Sequence, residues 1–593
     1  MPLPIEDYAM IGDLHTAALV GRDGSIDWLC LPRFDSASTF GALLGDEDHG
    51  RWMLAPTDPA ATSTRRYVED TFVLVTTWTT PTGVVEVTDF MPHGDRRADV
   101  IRRVTGVSGS VAMHVDLRIR FGYAEALPWI RQAPEKHDHA LVAIAGPDAI
   151  VVRGPELTAR DHRHAAEFTV EKGEKVDLTL TWYPAHREIP EPLPVAKRLK
   201  TTLKWWRSWA SASASLQSPV YTEEVRRSLL VLRALTHEDT GGIVAAATTS
   251  LPEQFGGQRN WDYRYVWLRD ASLTLNVLLD HGYVDEADDW RNWLLGAIAG
   301  DPDDVQIMYG LSGERRLEER ELTSLPGYHG ASPVRVGNGA YTQFQGDGFG
   351  FVMLALQAAR QRGRGEPDFS WPLQRALMTY VEENWRRPDN GIWEIRGEER
   401  EFTHSRVMLW AAVDCAVRAV RDFGLEGPVE RWERLRDEMR DDIETRGFDA
   451  ERNTYTQFYG GSGVDASLLH LPVVGYLTAD DPRMLGTVAA IEQELLEDGL
   501  LLRYRTESGV DGLPAGENAF LACSFWLVEQ YAASGRLDDA IELMDRLCGF
   551  SNDVGLLSEE YDVAGDRQAG NTPQALSHLA LVRAADAIAR ASA

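Results

Sequence analysis

Apolar and polar positions alternate along the chain up to about residue 185, and from about residue 222 onward the apolar positions recur at helical spacing instead. The early part reads as strands. TFVLVTTW and VVEVTDF flank a turn at Thr80, Pro81, Thr82 and Gly83, and VAMHVDLRIRF, HALVAIAG, AIVVRG, FTVEKG and KVDLTLTWY follow. Alternation punctuated by Gly and Pro predicts an antiparallel sandwich. The run Ile189, Pro190, Glu191, Pro192, Leu193, Pro194 predicts a stiff extended linker, followed by a helix over KRLKTTLKWWRSWASAS. The division that results is a β-sandwich over 1–188, a linker with a helix over 189–220, and a helical domain over 221–593.

In the helical part the periodicity predicts about twelve helices, near 222–238, 270–282, 284–299, 346–362, 371–386, 405–422, 428–445, 465–471, 483–497, 516–533, 536–550 and 572–591. Connections leading into the even-numbered helices are long, roughly 18 to 45 residues, and those leaving them are short. Six helix hairpins in a ring produce this alternation. The predicted fold is therefore an N-terminal antiparallel β-sandwich followed by an (α/α)6 barrel, with every long connection emerging at one end around an axial pocket. The unusual sequences fall on those connections: NWDYRYVWLRD, YHGASPVRVGNGAYTQFQGD, DNGIWEIRGEEREFTHS, RYRTESGVDGLPAGEN and GLLSEEYDVAGDRQAGNTPQ.

Charge and composition narrow the chemistry. The formal charge of −31 repels nucleic acid and anionic membranes. No window approaches the ~18 apolar residues of a membrane span, and the start MPLPIEDYAMIGD lacks the order of a signal peptide, so a cytoplasmic protein is expected. Cys30, Cys415, Cys523 and Cys548 are isolated and show no metal-ligand spacing. Every lysine lies between Lys136 and Lys204, which excludes a P-loop, a pyridoxal Schiff base and an aldolase-type lysine from the rest of the chain. Carboxylates, arginines and aromatics are left to act there.

Glu394 lies among Gly391, Ile392, Trp393 and Ile395, apolar neighbours that desolvate a carboxyl and raise its pKa, as a general acid requires. Local sequence alone favours a solvated loop glutamate, like Glu398, Glu399 and Glu401. Glu559 and Glu560 form an adjacent pair that could be only a polar turn. Two carboxylates from opposite connections could instead flank a glycosidic bond and leave room for water, at the ~6.5–9.5 Å of an inverting glycosidase. Tyr263, Trp267, Arg269 and Asp270 suit a sugar too, since aromatics stack on a pyranose and an Arg beside an Asp can fork onto vicinal hydroxyls. As an alternative, Arg269 and Asp270 form a structural ion pair at a helix start.

These segments together resemble the glucoamylase and trehalase family of inverting glycoside hydrolases, family 15, over nearly the whole chain. YAMIGDLHTAALVGRDGSIDWLCLPRFDS resembles the opening of bacterial members with an N-terminal sandwich. YVWLRD resembles the substrate-holding Arg-Asp motif, GIWEIRGEEREFTHSRVMLW the general-acid segment and LLSEEYDVAGDRQAGNTPQALSHLAL the general-base segment. The resemblance implies Glu394 as general acid and Glu559 as general base. It implies Tyr263, Trp267, Arg269, Asp270, Trp393 and Arg503 around the glucose whose bond is cut, with Glu517 and Arg335 as further candidates from neighbouring connections.

Two departures bear on substrate choice. Starch-cleaving members carry a second Glu directly after the acid, where this chain has Ile395 and then Arg396. Relatives often carry Tyr-Gly-Glu near the fourth helix, where this chain runs Asp347, Gly348, Phe349, Gly350, Phe351, so contacts to the departing sugar are left unassigned. The expectation is an exo-acting inverting α-glucosidase without metal or cofactor, with trehalose as leading substrate and maltose- or isomaltose-type glucosides second. Small α-glucosides are the expected partners; nucleic acid and membrane are not, and a homo-oligomer is left open. A glycoside phosphorylase is the rival enzyme, although Glu559 and Glu560 would repel its phosphate. An inactive carbohydrate-binding protein is the rival from another class.

Overall fold

A computed structural model describes residues 1–94, 96–133, 140–213 and 220–593. His139, at the start of one expected strand, and residues 214–219 of the expected linker lie outside the described residues.

The strands gather around one long strand, Ala98–Arg118, which belongs to two antiparallel sheets in turn. Its first half pairs with Gly83–Phe90 on one side and Lys175–Pro184 on the other. Its second half pairs with Arg51–Pro56 and Arg163–Glu171. The crossover falls at Gly106 and Gly109. Gly109 has φ +64°, and a Cβ there would meet the Thr82 carbonyl oxygen at 2.0 Å, so a side chain would break the passage between sheets. Val85, Val87, Val104, Val115, Leu117 and Leu180 bury into the shared core. Arg102 crosses it fully buried, pairing with Asp89 at 2.8 Å and donating to the carbonyls of Trp52 and Gly24 at 2.6 and 2.8 Å. Each of its charged hydrogen bonds has a partner, as a buried guanidinium requires.

Helix α1 (Val195–Ala210) follows the proline-rich stretch and bridges the two halves. Trp206 packs 5.3 Å from Phe72 of the sandwich, and Trp209 stacks 4.1 Å from Tyr283 of the helical part. Then come α2 (Thr222–Ala234), α3 (Leu268–Asp280), α4 (Val284–Ala297), α5 (Asp347–Gln361), α6 (Ser370–Asn384), α7 (Thr403–Phe423), α8 (Val429–Arg446), α9 (Pro482–Leu495), α10 (Leu521–Ala533), α11 (Leu537–Cys548) and α12 (Ala575–Ala591).

The inner ring runs α3, α5, α7, the turn Ala466–His470, α10, α12 and back to α3, each packed on the next. Sequence explains which helices go inside. α10 is buried along nearly its whole length, whereas α8 buries only Val429, Trp432, Met439 and Ile443, one stripe of an otherwise charged helix. Two expected helices differ. The eighth is a single 3-10 segment, Ala466–His470, cut short by Pro472. The tenth begins at Leu521 rather than near 516, because Ala519–Phe520 is drawn into a small sheet with Glu560–Asp562.

Candidate active site

The inner helices α3, α5, α7, α10 and α12 all begin at the end that carries the long connections. Just before α3, Arg264 is fully buried and holds both oxygens of Asp262, at 2.8 and 2.7 Å, while reaching the sandwich at the Ser36 carbonyl and the Tyr123 hydroxyl, each 2.8 Å away. The sandwich thus fixes the segment that presents Tyr263 and Trp267.

Glu394 sits in a tight turn with φ +51°, a conformation that costs a residue with a Cβ of order 1–3 kcal/mol and persists only when neighbours over-determine it. They do so here. Asn390 donates to the Ile395 carbonyl at 2.9 Å, and Gln343 donates to the Glu394 and Ile395 carbonyls at 3.2 and 3.1 Å. Trp267 Nε1 and Arg269 Nη1 then donate to Glu394 Oε1 at 3.1 and 3.2 Å. Arg269 also donates to Asp270 Oδ1 and to the Ile392 carbonyl, both at 2.6 Å. Burial raises the Glu394 pKa; the Arg269 charge opposes the rise and the Asp270 charge adds to it. The side chain retains 21% exposure where it lines the cavity.

Glu559 enters from the connection before α12. Its N–H donates to the Asn571 carbonyl at 3.2 Å, its carbonyl accepts from Leu521 N–H at 3.1 Å, and the Tyr263 hydroxyl donates to Oε1 at 2.6 Å. Oε2 is buried without a hydrogen-bond donor among the described residues. Burial foremost, and then the charge of Glu253, push the Glu559 pKa well above the ordinary carboxyl range, against the pull of Arg503 and the Tyr263 hydrogen bond. A raised pKa makes the carboxylate a stronger base once it has lost its proton.

Glu560, next in sequence, accepts from Asn518 N–H at 3.1 Å and has Oε1 3.8 Å from Arg503. The adjacent pair is therefore divided between Tyr263 and an arginine. Arg503 is nearly buried and donates at 2.8 Å to both Glu253 and Glu517. Burial works against its charge, but Glu253 and Glu517 more than offset this and raise its pKa well above the ordinary value. Glu253, Glu517 and Glu560 bring carboxylate oxygens within 4.8 Å of one another, the residue types of a cation site. The guanidinium already supplies the positive charge there.

The cavity at Glu394 is lined by Glu253, Trp261, Tyr263, Trp393, Glu394 and Arg503, with Arg396, Asn338 and Asp511 around them; Glu559, Trp267, Arg269, Asp270 and Glu517 are not lining residues, and Glu559 joins the cavity through the Tyr263 hydroxyl. Trp393 Nε1 donates to Asp465 at 2.9 and 3.1 Å, and its ring packs against Phe520 and Trp526. Arg335 does not line the cavity. Its guanidinium lies 4.5 Å from the centre of the Trp261 ring and donates to the Gln258 and Asn260 carbonyls, so it braces the wall from behind. Phe349 and Phe351 do not line it either: Phe349 stacks on Tyr380 at 5.3 Å, and Phe351 lies among His404 and His470. Sequence reading missed Glu253, Trp261, Arg259 and Asp511. Trp261 stands within the singled-out NWDYRYVWLRD segment, which is a usable signal; a lone Glu in PEQFGG carries none.

Residues 219–586 match the family described as Glycosyl hydrolases family 15, and residues 1–180 match Trehalase-like, N-terminal. The chain is 36% identical to the trehalase of Mycolicibacterium smegmatis, over 99% of this chain and 92% of that one. It is 34% identical to the trehalase of Thermoplasma volcanium, over 98% and 93%. A bacterial glucoamylase solved with acarbose shares the fold at 13% identity, with a TM-score of 0.75 over 98% of this chain and 94% of that one.

Proposed function

Because the chain belongs to glycosyl hydrolase family 15 and is a glycoside hydrolase, we propose that it cleaves α,α-trehalose with water to give two glucose molecules. The observation that carries the reading is the different wiring of its two carboxyls, Glu559 buried and Glu394 partly exposed at the cavity. Glu394 is bound by an indole N–H and a guanidinium on one oxygen, and Glu559 by a phenol on one oxygen with the other buried and without a donor among the described residues. In this reading Glu394 gives its proton to the glycosidic oxygen as the bond breaks. Glu559 takes a proton from the water that attacks the anomeric carbon from the opposite face. Arg269, Asp270 and Arg503 hold hydroxyls of the sugar being cut, and Trp393 and Trp261 wall it. Trehalose, rather than a longer glucan, is favoured by full-length likeness to proteins named trehalase.

The reading treats residues 1–188 as the sandwich, 189–220 as the linker and 221–593 as the catalytic domain. It places the enzyme in the cytoplasm, supported by four unpaired cysteines, and among the described residues no helix is long and apolar enough to cross a membrane. The test is glucose release from trehalose, maltose, isomaltose, kojibiose and nigerose, each with and without phosphate. Trehalose should be cleaved fastest and without phosphate. Faster cleavage of maltose or isomaltose would give the role to an oligosaccharide glucosidase, and an absolute need for phosphate as co-substrate would give it to a phosphorylase.

A further inference from the structure

The cavity at Glu394 measures about 30 Å³, close to the volume one water occupies in the liquid and far below the ~300–1,000 Å³ of small-molecule sites. A glucose unit does not fit. Several walls are braced from behind: the Glu394 turn by Asn390 and Gln343, Trp393 by Asp465, and Trp261 by Arg335. Asp511 and Leu513 belong to a wall of another kind, the surface loop 506–516. Its outer side is exposed at Glu507, Ser508, Gly509, Gly512, Pro514 and Ala515, while Val510 and Asp511 are buried beneath it.

The loop is closed on itself. Gly516 N–H donates to the Thr506 hydroxyl at 3.0 Å, Gly512 N–H to the Gly509 carbonyl at 3.2 Å and Leu513 N–H to Asp511 Oδ1 at 3.0 Å. A loop whose ends meet and whose bonds are its own can move as one piece. Among the described residues, and apart from the flanking Arg505, its hydrogen bonds to the rest of the chain run through two side chains. Arg259 donates to Asp511 Oδ2 at 2.6 Å and to the Pro514 carbonyl at 3.1 Å, and the Tyr504 hydroxyl donates to Asp511 Oδ2 at 2.9 Å. Asp511 is the latch. Where the loop crosses the connection that carries Glu394, backbone lies on backbone: a Cβ on Gly397 would stand 2.5 Å from the Val510 carbonyl oxygen. No hydrogen bond joins the two there among the described residues.

We propose that residues 506–516 form a lid, shut in this structure, that lifts away from Glu394 to admit the sugar. The proposal rests on the reading of this cavity as the site that takes a glucose unit. A sugar that binds only with the lid raised draws the population towards the raised form. Gating of this kind needs a segment held by few bonds, which the single latch supplies.

Val510→Cys reports the motion, because position 510 is 6% exposed beneath the lid and does not line the cavity. Iodoacetamide reaches a thiol there when the lid is up, and the native Cys523, fully buried in α10, is the shut reference within the same chain. Mass spectrometry of the full-length protein follows the two positions separately. Labelling at position 510 should run about tenfold or more ahead of Cys523 without sugar, as local opening outpaces opening of the core. It should quicken further with saturating glucose, and also when Gly397→Ala is added, since the new methyl wedges against the Val510 carbonyl. In the unaltered protein, cleavage after the exposed Glu507 by a glutamyl endopeptidase should likewise quicken with glucose. Labelling at position 510 as slow as at Cys523, or a rate indifferent to glucose, overturns the lid. Failure of the trehalase reading looks different: trehalose then yields no glucose while maltose or isomaltose does, and the labelling keeps its response to glucose, the product common to all three.

Discussion

The Tyr263 hydroxyl donates to Glu559 Oε1 at 2.6 Å, and this contact ties Glu559 to Glu394 as well. The Tyr263 ring meets Trp267 edge-on at 5.4 Å, and the Trp267 indole donates to Glu394. Two aromatic residues four apart in YRYVW thus set both carboxyls from a single segment.

The pH dependence follows from this wiring. The acid limb of kcat/KM reports the base losing its proton, and the alkaline limb reports the acid losing its own. Burial raises both pKa values, so with Glu559 as base and Glu394 as acid both limbs should lie above the ordinary carboxyl range. The Tyr263 hydrogen bond lowers the Glu559 pKa and the Glu253 charge raises it. Tyr263→Phe should therefore move the acid limb to higher pH, and Glu253→Gln should move it to lower pH. Limbs that shift in the same direction, or stay put, would remove Glu559 from the role of base.

Glu394→Gln should lower kcat on trehalose by ~10²–10⁴, because the leaving oxygen loses its proton donor. On α-glucosyl fluoride, whose leaving group needs little protonation, the loss should be far smaller. Equal losses on the two substrates would leave Glu394 as a residue that only positions the sugar.

Legibility from sequence followed the scale of the pattern. The ring could be read because burial on one stripe or all round leaves a period in the sequence, as the contrast between α8 and α10 shows. The long strand Ala98–Arg118, shared between two sheets, left only its second half visible in VAMHVDLRIRF, since pairing partners are set by distant residues. Within the site, Glu394 stood out through its apolar neighbours, whereas Glu559, in a pair that could be only a polar turn, was singled out by the family resemblance of its segment. Glu253 was not: its importance comes from the 2.8 Å approach of Arg503, 250 positions away. Arg335 carried the right residue type on the right connection, yet its guanidinium turns to the back of Trp261.

Gly570 is the position where a small change should reach Glu559 directly. It has φ +76°, and a Cβ there would lie 2.7 Å from both Cβ and Oε2 of Glu559. Gly570→Ala should lower kcat by ~10–100-fold through misplacement of the carboxylate. Gly363→Ala is the matched control, with φ +69° and nothing within 4 Å of the added atom. It should carry the same backbone strain and keep full activity; comparable losses in both would attribute the effect to strain alone.

At the mouth, Arg396 lies 4.0 Å over the Trp261 ring and donates to Glu319 at 3.0 and 2.5 Å. Arg396→Ala should free Trp261 and raise KM for trehalose severalfold, on the order of the ~1 kcal/mol of an exposed cation–π contact, with kcat within about a factor of two. A fall in kcat at unchanged KM would instead assign Arg396 to the transition state.

The stereochemical outcome tests the division of labour between the two carboxyls. Water activated by Glu559 attacks from the face opposite the leaving oxygen, so the anomeric centre inverts. Trehalose joins two α-anomeric carbons, and inversion at one releases β-glucose while the other glucose leaves as α. Proton NMR before mutarotation should therefore show the two anomers in near-equal amounts from the first turnover, whereas retention would give α-glucose alone. Glu559→Ala should abolish hydrolysis of trehalose. With α-glucosyl fluoride and added azide, the vacated face admits the anion, and the product should be β-glucosyl azide. An α-linked azide, or a glucosyl ester trapped on Glu559, would make that carboxylate a nucleophile and overturn its assignment as base.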